Sequence, residues 1–456
     1  MTVGATNLFF NRDTKVYLAQ GGTIWELPVL NGYSFSQTTN SSTITLSEMT
    51  DTTGRSRRGQ RVFNDSLAPA EWSFDIYARP TLLSSFHRAP EEALWNSLFS
   101  NRNFSVANST TGVVPSAGSF TTTGGVTTVT LNVANANTLF TVNDAINVTG
   151  VTATTNPPNG TFVVSAVTGT TVSYIVATAP TGSLTTTSAV VRSGAAASSA
   201  TQLDFSALGS NRSALATFDL YFVLGANAHL SGGGTANYTA SGNTTIYRID
   251  GACVNEATLN FDVEGIATIS WSGMGSRISE LVSYDASAAL QIGLASNNNM
   301  IRNRITSAAL VGVSPIQVAK TYNIALTGGS ITISNNMTFL TPETLGVVNV
   351  PLGHVTGIRS VSGSFTCYAD EATNGSIDLY EDLLLATTAV TNRFQLALNV
   401  GGTTAPTVQF DLGNCHLEVP TINNDDVIAF EVNFTGLPSN ISGSDELNRV
   451  RYIGVA

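Results

Sequence analysis

Two stretches of this chain spell nearly the same strand, Ser73-Phe74-Asp75-Ile76-Tyr77-Ala78 and Ser364-Phe365-Thr366-Cys367-Tyr368-Ala369. Working outward, each is followed by a short helical pattern. Further on, each has a cysteine, a run of β-like alternation, and an aromatic two residues before a glycine. These are Cys253, Trp271 and Gly273 in the first copy and Cys415, Phe434 and Gly436 in the second. The order of features predicts a duplicated, mainly β unit with one short helix per copy.

The helical patterns agree in detail. In Pro90-Glu91-Glu92-Ala93-Leu94-Trp95-Asn96-Ser97-Leu98-Phe99, proline and acids open the first turn. Leu94 with Leu98, and Trp95 with Phe99, then form an apolar face. In Ser376-Ile377-Asp378-Leu379-Tyr380-Glu381-Asp382-Leu383-Leu384, Ser376 is the expected N-cap and the apolar pairing recurs. Each helix is expected to lie on one face of a sheet.

The copies open alike. Lys15-Val16-Tyr17-Leu18-Ala19-Gln20-Gly21-Gly22-Thr23-Ile24-Trp25 reads as a hairpin turning at Gly-Gly. Tyr322-Asn323-Ile324-Ala325-Leu326-Thr327-Gly328-Gly329-Ser330-Ile331-Thr332-Ile333 predicts the same layout. Asp51 to Asp65, carrying Arg55, Arg57, Arg58 and Arg61, reads as a long polar loop. Residues 105–200 look inserted, because they hold only two charged side chains, Asp144 and Arg192, amid Thr, Val, Gly and Ala. Short strands at 126–131, 159–164 and 171–176 make this insertion a small β-sandwich or barrel in a surface loop. Extra length around Leu230–Thr235 reads as a longer loop. The expected division is residues 1–104 with 201–285, the insertion 105–200, and residues 286–456.

Composition sets the class. Only 11% of the 456 residues are charged and the net charge is −11. Such a chain is no clamp for nucleic acid, which needs clustered Lys and Arg. Three cysteines make a disulfide framework improbable, and buried thiols are expected. Met1 to Thr6 lacks the pattern of a secretory signal. No stretch approaches the roughly 20 apolar residues of a membrane span. The four histidines, His87, His229, His354 and His416, lack metal-ligand spacing. Gly273-Met274-Gly275-Ser276 reads as a turn, and Asp425-Asp426 as a hairpin turn in preference to a calcium site. No catalytic constellation and no cofactor are expected.

The last strand of each copy alternates most clearly. Ile428, Phe430, Val432 and Phe434 share one face, and Ala429, Glu431, Asn433 and Thr435 the other. Ile269 and Trp271 alternate with Thr268, Ser270 and Ser272. A sheet wet on one side follows.

This sequence of opening strands, long loop, Ser-Phe-x-x-Tyr-Ala strand, short helix and closing strand ending in Ser-Gly or Thr-Gly resembles the major tail tube protein of long-tailed, non-contractile (siphovirus-type) bacteriophages. The resemblance covers residues 1–104 and 201–456. It implies stacked rings of six tube domains, closed by three chains when each carries two domains, with extra β-sandwich domains on the exterior. It also implies a virion tail component assembled in the host bacterial cytoplasm. The implied partners are copies of itself, the tape-measure, tail tip and terminator proteins, and transiting DNA that is not tightly bound. Thr268, Ser270, Ser272, Glu431, Asn433 and Thr435 would then face the lumen, and Arg55, Arg57, Arg58 and Arg61 would reach the adjacent ring. Two alternatives differ in class: a capsid-decorating β-sandwich protein, and a carbohydrate-binding adhesin stacking sugars on Trp25, Trp72, Trp95 and Trp271.

Overall fold

The computed structural model describes residues 8–44, 52–55, 61–83, 86–107, 112–187, 190–192, 194–208, 214–225, 237–240, 244–286, 289–290, 299–313, 320–341, 344–345, 348–385, 393–424, 427–440 and 443–455. Leu230 to Thr235, His229, Arg57, Arg58, Asp425 and Asp426 lie outside these residues.

The fold is mainly β, and one chain of pairings runs through it twice. Lys15–Gln20 and Thr23–Leu27 form an antiparallel hairpin turning at Gly21 and Gly22, whose φ values of 58° and 81° suit glycine. Phe218–Leu224 pairs with Lys15–Gln20, Thr245–Asp262 with Phe218–Leu224, Thr268–Gly275 with Thr245–Asp262, and Ala70–Tyr77 with Thr268–Gly275. In the second half, the hairpin is Ser307–Val313 with Thr321–Ile324. Arg393–Val400, Thr407–Leu417, Ile428–Gly436 and Ser360–Tyr368 then follow in the same order of neighbours. Helices Glu92–Phe99 and Ser376–Leu385 come after the two Ser-Phe strands.

Gly328 and Gly329 do not turn a hairpin. They sit inside the strand Leu326–Ser334, whose ladder with Ser360–Tyr368 shifts register between Leu326 and Gly328. A Cβ on Gly329 would lie 2.3 Å from the Ser364 carbonyl oxygen and 2.6 Å from the Phe261 ring. Glycine is there for close approach, not for reversal. The same reason corrects Gly273-Met274-Gly275, which belongs to the strand Thr268–Gly275. A Cβ on Gly273 would meet the Cys253 carbonyl at 2.1 Å and the Trp72 ring.

The helix Glu92–Phe99 is buried on every side, including Glu92, Asn96 and Ser97. That burial extends beyond the single apolar face marked by Leu94/Leu98 and Trp95/Phe99. Ser97 Oγ donates to the Ala216 carbonyl at 2.8 Å and Asn96 Nδ2 to the Arg102 carbonyl at 2.7 Å, while Asn96 Oδ1 is buried without a partner. Trp25 Nε1 donates to Glu92 Oε1 at 2.8 Å. Trp95 is the hub, edge-on to Trp271 at a centroid distance of 4.7 Å and stacked with Phe99 at 5.6 Å. In the second helix Ser376 is the first helical residue, not the cap. Its Oγ donates to the Tyr368 carbonyl at 2.6 Å and accepts from Asp370 N at 2.8 Å, tying the helix to the preceding strand.

The two halves are joined by shared sheets. Glu256–Asp262 of the first pairs antiparallel with Leu326–Ser334 of the second. The C-terminal strand Arg449–Ile453 lies between Gln202–Ser206 and Thr407–Asp411. Arg451 bonds Asp204 (Nη2 to Oδ2, 3.0 Å), and Arg449 bonds Asp411. Tyr452 accepts from Trp95 Nε1 at 2.9 Å and donates to Glu91 Oε1 at 2.7 Å.

Within residues 105–200, six strands from Ala117–Thr123 to Val190–Arg192 form their own sheet over their own core of Val129, Leu131, Ile146, Val164, Val172 and Tyr174. Val106–Ala107 and Ala196–Ser198, at its two ends, pair with each other and belong to the main network. Asp144 and Arg192, the unit's two charged side chains, both sit at this neck. Asp144 meets Arg102 at 3.5 Å. Arg192 donates to the Leu139 carbonyl at 3.0 Å, to Ser105 Oγ at 3.1 Å and to Ser100 Oγ. Burial lowers the Arg192 pKa to about 10. The remainder of this small unit presents hydroxyls, amides and apolar groups.

Candidate functional site

The six residues proposed for one wet face come together on one continuous sheet. Residues directly opposite in antiparallel strands share a face, and the register runs unbroken across both halves. Asp75 stands opposite Ser270, Ser270 opposite Thr258, Thr258 opposite Thr332, Thr332 opposite Ser362, and Ser362 opposite Thr435. A parallel row runs Tyr77, Thr268, Asn260, Ser330, Ser364, Asn433. Ser272 lies beside Ser73 and Glu256, and Glu431 beside Thr366 and Thr421. Glu431, Asn433 and Thr435 are exposed, and Thr268, Ser270 and Ser272 half-buried.

The opposite face is dry. Ile269, Trp271, Leu259, Ile331, Ile333, Val361, Val432 and Phe434 are all buried in one core. Ile428, grouped with them by alternation, is instead 50% exposed at the strand's start. Hydroxyls on the wet face bond sideways: Thr258 Oγ1 to Thr332 Oγ1 at 3.0 Å, Ser34 Oγ to Ser73 Oγ at 2.8 Å. Asn433 Nδ2 donates to Glu418 Oε2 at 3.0 Å.

Sequence reading missed part of this face. Ala70–Tyr77 contributes Glu71 and Asp75, both exposed, and Thr245–Asp262 contributes Glu256 and Asp262. Their signal was the same period-two alternation, visible in the buried-exposed pattern of Ala70–Tyr77. With Glu431 these make five carboxylates on the strands of this face, and Glu418 beside Asn433 is a sixth at its edge. The strands of this face, Ser34–Ser36, Ala70–Tyr77, Glu256–Asp262, Thr268–Gly275, Leu326–Ser334, Ser360–Tyr368, Thr421–Asn424 and Ile428–Gly436, contain neither Lys nor Arg.

The arginine loop is partly strand. Thr39–Ile44 pairs with Arg61–Leu67 as a two-stranded arm, because Arg61 to Asp65 continue the ladder beyond the polar loop expected there. Arg61 is opposite Ile44, and Arg55 is exposed. The arm exposes Val62 and Phe63, and its base touches the second half, where Leu67 N donates to the Asn349 carbonyl at 2.8 Å. The three cysteines are buried, and burial raises the Cys367 and Cys415 thiols to about 11 and about 12. Trp25, Trp72, Trp95 and Trp271 are each at most 2% exposed. No sugar can stack on them, which removes the aromatic platform of the adhesin alternative.

A mainly β framework with an acidic, hydroxyl-rich face and a buried aromatic core is the architecture of a building block. The family model described as phage tail tube protein matches residues 185–436, more than half of the chain. The chain belongs to the phage tail tube protein family. It is similar to the tail tube protein pb6 of Escherichia phage T5, with 35% identity over 207 residues. That match covers 43% of this chain and 44% of the T5 protein, so it spans less than half of the relative's length.

Proposed function

We propose that the chain forms stacked three-chain, pseudo-hexameric rings that build the tail tube, with the wet face turned inward as a negatively charged conduit for DNA. The observation that carries this reading is the sheet that crosses from one half into the other with its polar rows in register. Among the described residues such a sheet has two open ends, and open edges are a hazard unless paired. Head-to-tail contacts that close by rotation give rings. A barrel of that many strands is too wide for side chains to fill, so its lining must tolerate water.

The lining fits its passenger. Phosphates gain affinity by displacing counterions when they meet Lys or Arg. A wall of Glu, Asp, Thr and Ser offers no such gain and leaves the duplex mobile. The small unit of residues 105–200, held by its neck, sits on the tube exterior in this reading. The tape-measure, tip and terminator proteins are the remaining partners, and no membrane insertion is involved. The Arg55, Arg57, Arg58 and Arg61 arm reaches carboxylates of the neighbouring ring, where guanidinium groups bond bidentately.

Negative-stain microscopy of the purified protein tests the proposal. Tubes or annuli with a central hole support it; dispersed single chains at all concentrations overturn it.

A further inference from the structure

The chain contains a finished example of the joint that a ring needs. Glu256–Asp262 and Leu326–Ser334 meet in seven residue pairs, with Thr258 opposite Thr332, Leu259 opposite Ile331 and Asn260 opposite Ser330. On the core side of this seam Leu259 and Ile331 are each 1% exposed.

The repeated Ser-Phe strands locate the equivalent edges elsewhere. Asp75, two residues after Ser73, reaches Thr258 through Ser270. Thr366, two residues after Ser364, reaches Thr421 through Glu431. Thr421 therefore occupies the place of Thr258, Ile422 that of Leu259 and Asn423 that of Asn260. On the other side, Ser330 pairs with Ser364 and Ser34 pairs with Ser73. Ser34, Phe35 and Ser36 therefore occupy the places of Ser330, Ile331 and Thr332.

Among the described residues, Thr421–Asn424 pairs only with Ile428–Gly436, and Ser34–Ser36 only with Ala70–Tyr77. Each strand has an open edge, with Thr421, Asn423, Ser34 and Ser36 exposed. Ile422, whose counterpart Leu259 is buried by the in-chain seam, is 44% exposed.

We propose that Thr421–Asn424 of one copy takes Ser34–Ser36 of a second copy as an antiparallel neighbour, with Thr421 opposite Ser36, Ile422 opposite Phe35 and Asn423 opposite Ser34. This rests on the ring reading above and names its contact. Side-chain parity agrees: the four polar residues continue the wet face, and Ile422 meets Phe35 on the dry one. Main-chain hydrogen bonds supply the attachment and the apolar pair sets the register. The joint is also shorter than the in-chain seam, with three residues in the Ser34–Ser36 strand against seven pairs. Rings accordingly open between copies, not within one.

Engineered cysteines test the register in assembled tubes under mild oxidation. Directly opposite residues have Cα atoms about 4.5–5.5 Å apart, within disulfide reach, whereas a diagonal neighbour at about 7–8 Å is not. Ser34→Cys with Asn423→Cys should convert most chains into covalent dimers and trimers on a non-reducing gel. Ser36→Cys with Asn423→Cys should leave them monomeric. Rings that form without the first cross-link, or that form the second equally well, overturn the register while leaving the ring intact. If the variants fail to assemble, hydrogen exchange on the wild-type chain decides: amides of 34–36 and 421–424 must gain protection on assembly, and unchanged exchange there rejects the contact. Wild-type protein that never forms rings rejects the underlying reading instead.

Discussion

Reversing charge on the wet face should convert an indifferent wall into a DNA-binding one, with a threshold. Each chain places Glu71, Asp75, Glu256, Asp262 and Glu431 on that face with no Lys or Arg on its strands. One Glu→Lys change moves the balance by two charges, so Glu431→Lys alone leaves the wall negative. Changing Glu71, Asp75 and Glu431 together to Lys tips its strands to net positive, leaves Glu418 to balance one charge at the edge, and places nine lysines around a three-chain ring. All three sites are exposed, where substitutions usually alter stability by less than about 0.5 kcal/mol, so folding should survive. With six to ten phosphate contacts, affinity falls by about 10³–10⁵-fold between 50 and 200 mM salt. Co-sedimentation of a short fluorescent duplex with assembled tubes across that range reads the effect. Wild type and Glu431→Lys should retain no DNA at any salt. The triple variant should retain it at 50 mM and release it by 200 mM. Steep salt-dependent retention by wild-type tubes, or none by the triple variant, would refute the inward placement of this face. In virions, Glu431→Lys should slow DNA ejection without blocking tube assembly.

Other perturbations probe separate joints. Alanine at Arg55, Arg57, Arg58 and Arg61 together should reduce tube length in micrographs while leaving single rings, and normal polymerisation would remove their stacking role. Burial raises the Glu91 pKa to about 7, against the opposing hydrogen bond from Tyr452. A raised acid stabilises the fold when protonated, so its contribution is lost as pH rises from about 4.5 through 7, on the order of 3 kcal/mol. His87, lowered by burial, pulls the opposite way. The readout is therefore the difference in Tm between wild type and Glu91→Gln, which should change sharply between pH 5 and about 7.5. Arg192→Met strips the neck of its bonds to Ser100, Ser105 and the Leu139 carbonyl. Hydrogen bonds to charged groups contribute about 1.5–3 kcal/mol each, so limited proteolysis should cut near residues 105–112 and 190–195 faster, with the rest of the chain intact. Gly329→Ala forces a Cβ to within 2.3 Å of the Ser364 carbonyl at a φ of +156°, and calorimetry should register a loss of about 1–3 kcal/mol.

Repetition marked the Ser-Phe strands, and bounding turn residues marked three of the six strands of the small inserted unit. Period-two alternation made the last strand of each half legible, because a sheet with one wet face writes its register into every second residue. The wet face was found through Glu431, Asn433 and Thr435 for the same reason. Glycine was the main source of error. Gly21-Gly22 and Gly328-Gly329 are identical locally, but one turns the chain and the other admits the Ser364 carbonyl and the Phe261 ring. Only the neighbouring strands distinguish these uses. Helix Glu92–Phe99 showed its apolar pairs in the sequence but not the burial of Asn96 and Ser97, which depends on the distant Arg102 and Ala216 carbonyls that accept from them. The strand Arg449–Ile453 bridges residues far apart in sequence, and no local pattern announces such a partner.

Electron cryo-microscopy of assembled tubes, averaged at a resolution that separates strands, weighs the ring directly. The account predicts three chains per ring, six β lobes around an open bore, and Thr435, Asn433 and Glu431 on the inner wall. A ring of six whole chains, or a bore lined by the Arg449–Ile453 side of the molecule, would contradict it.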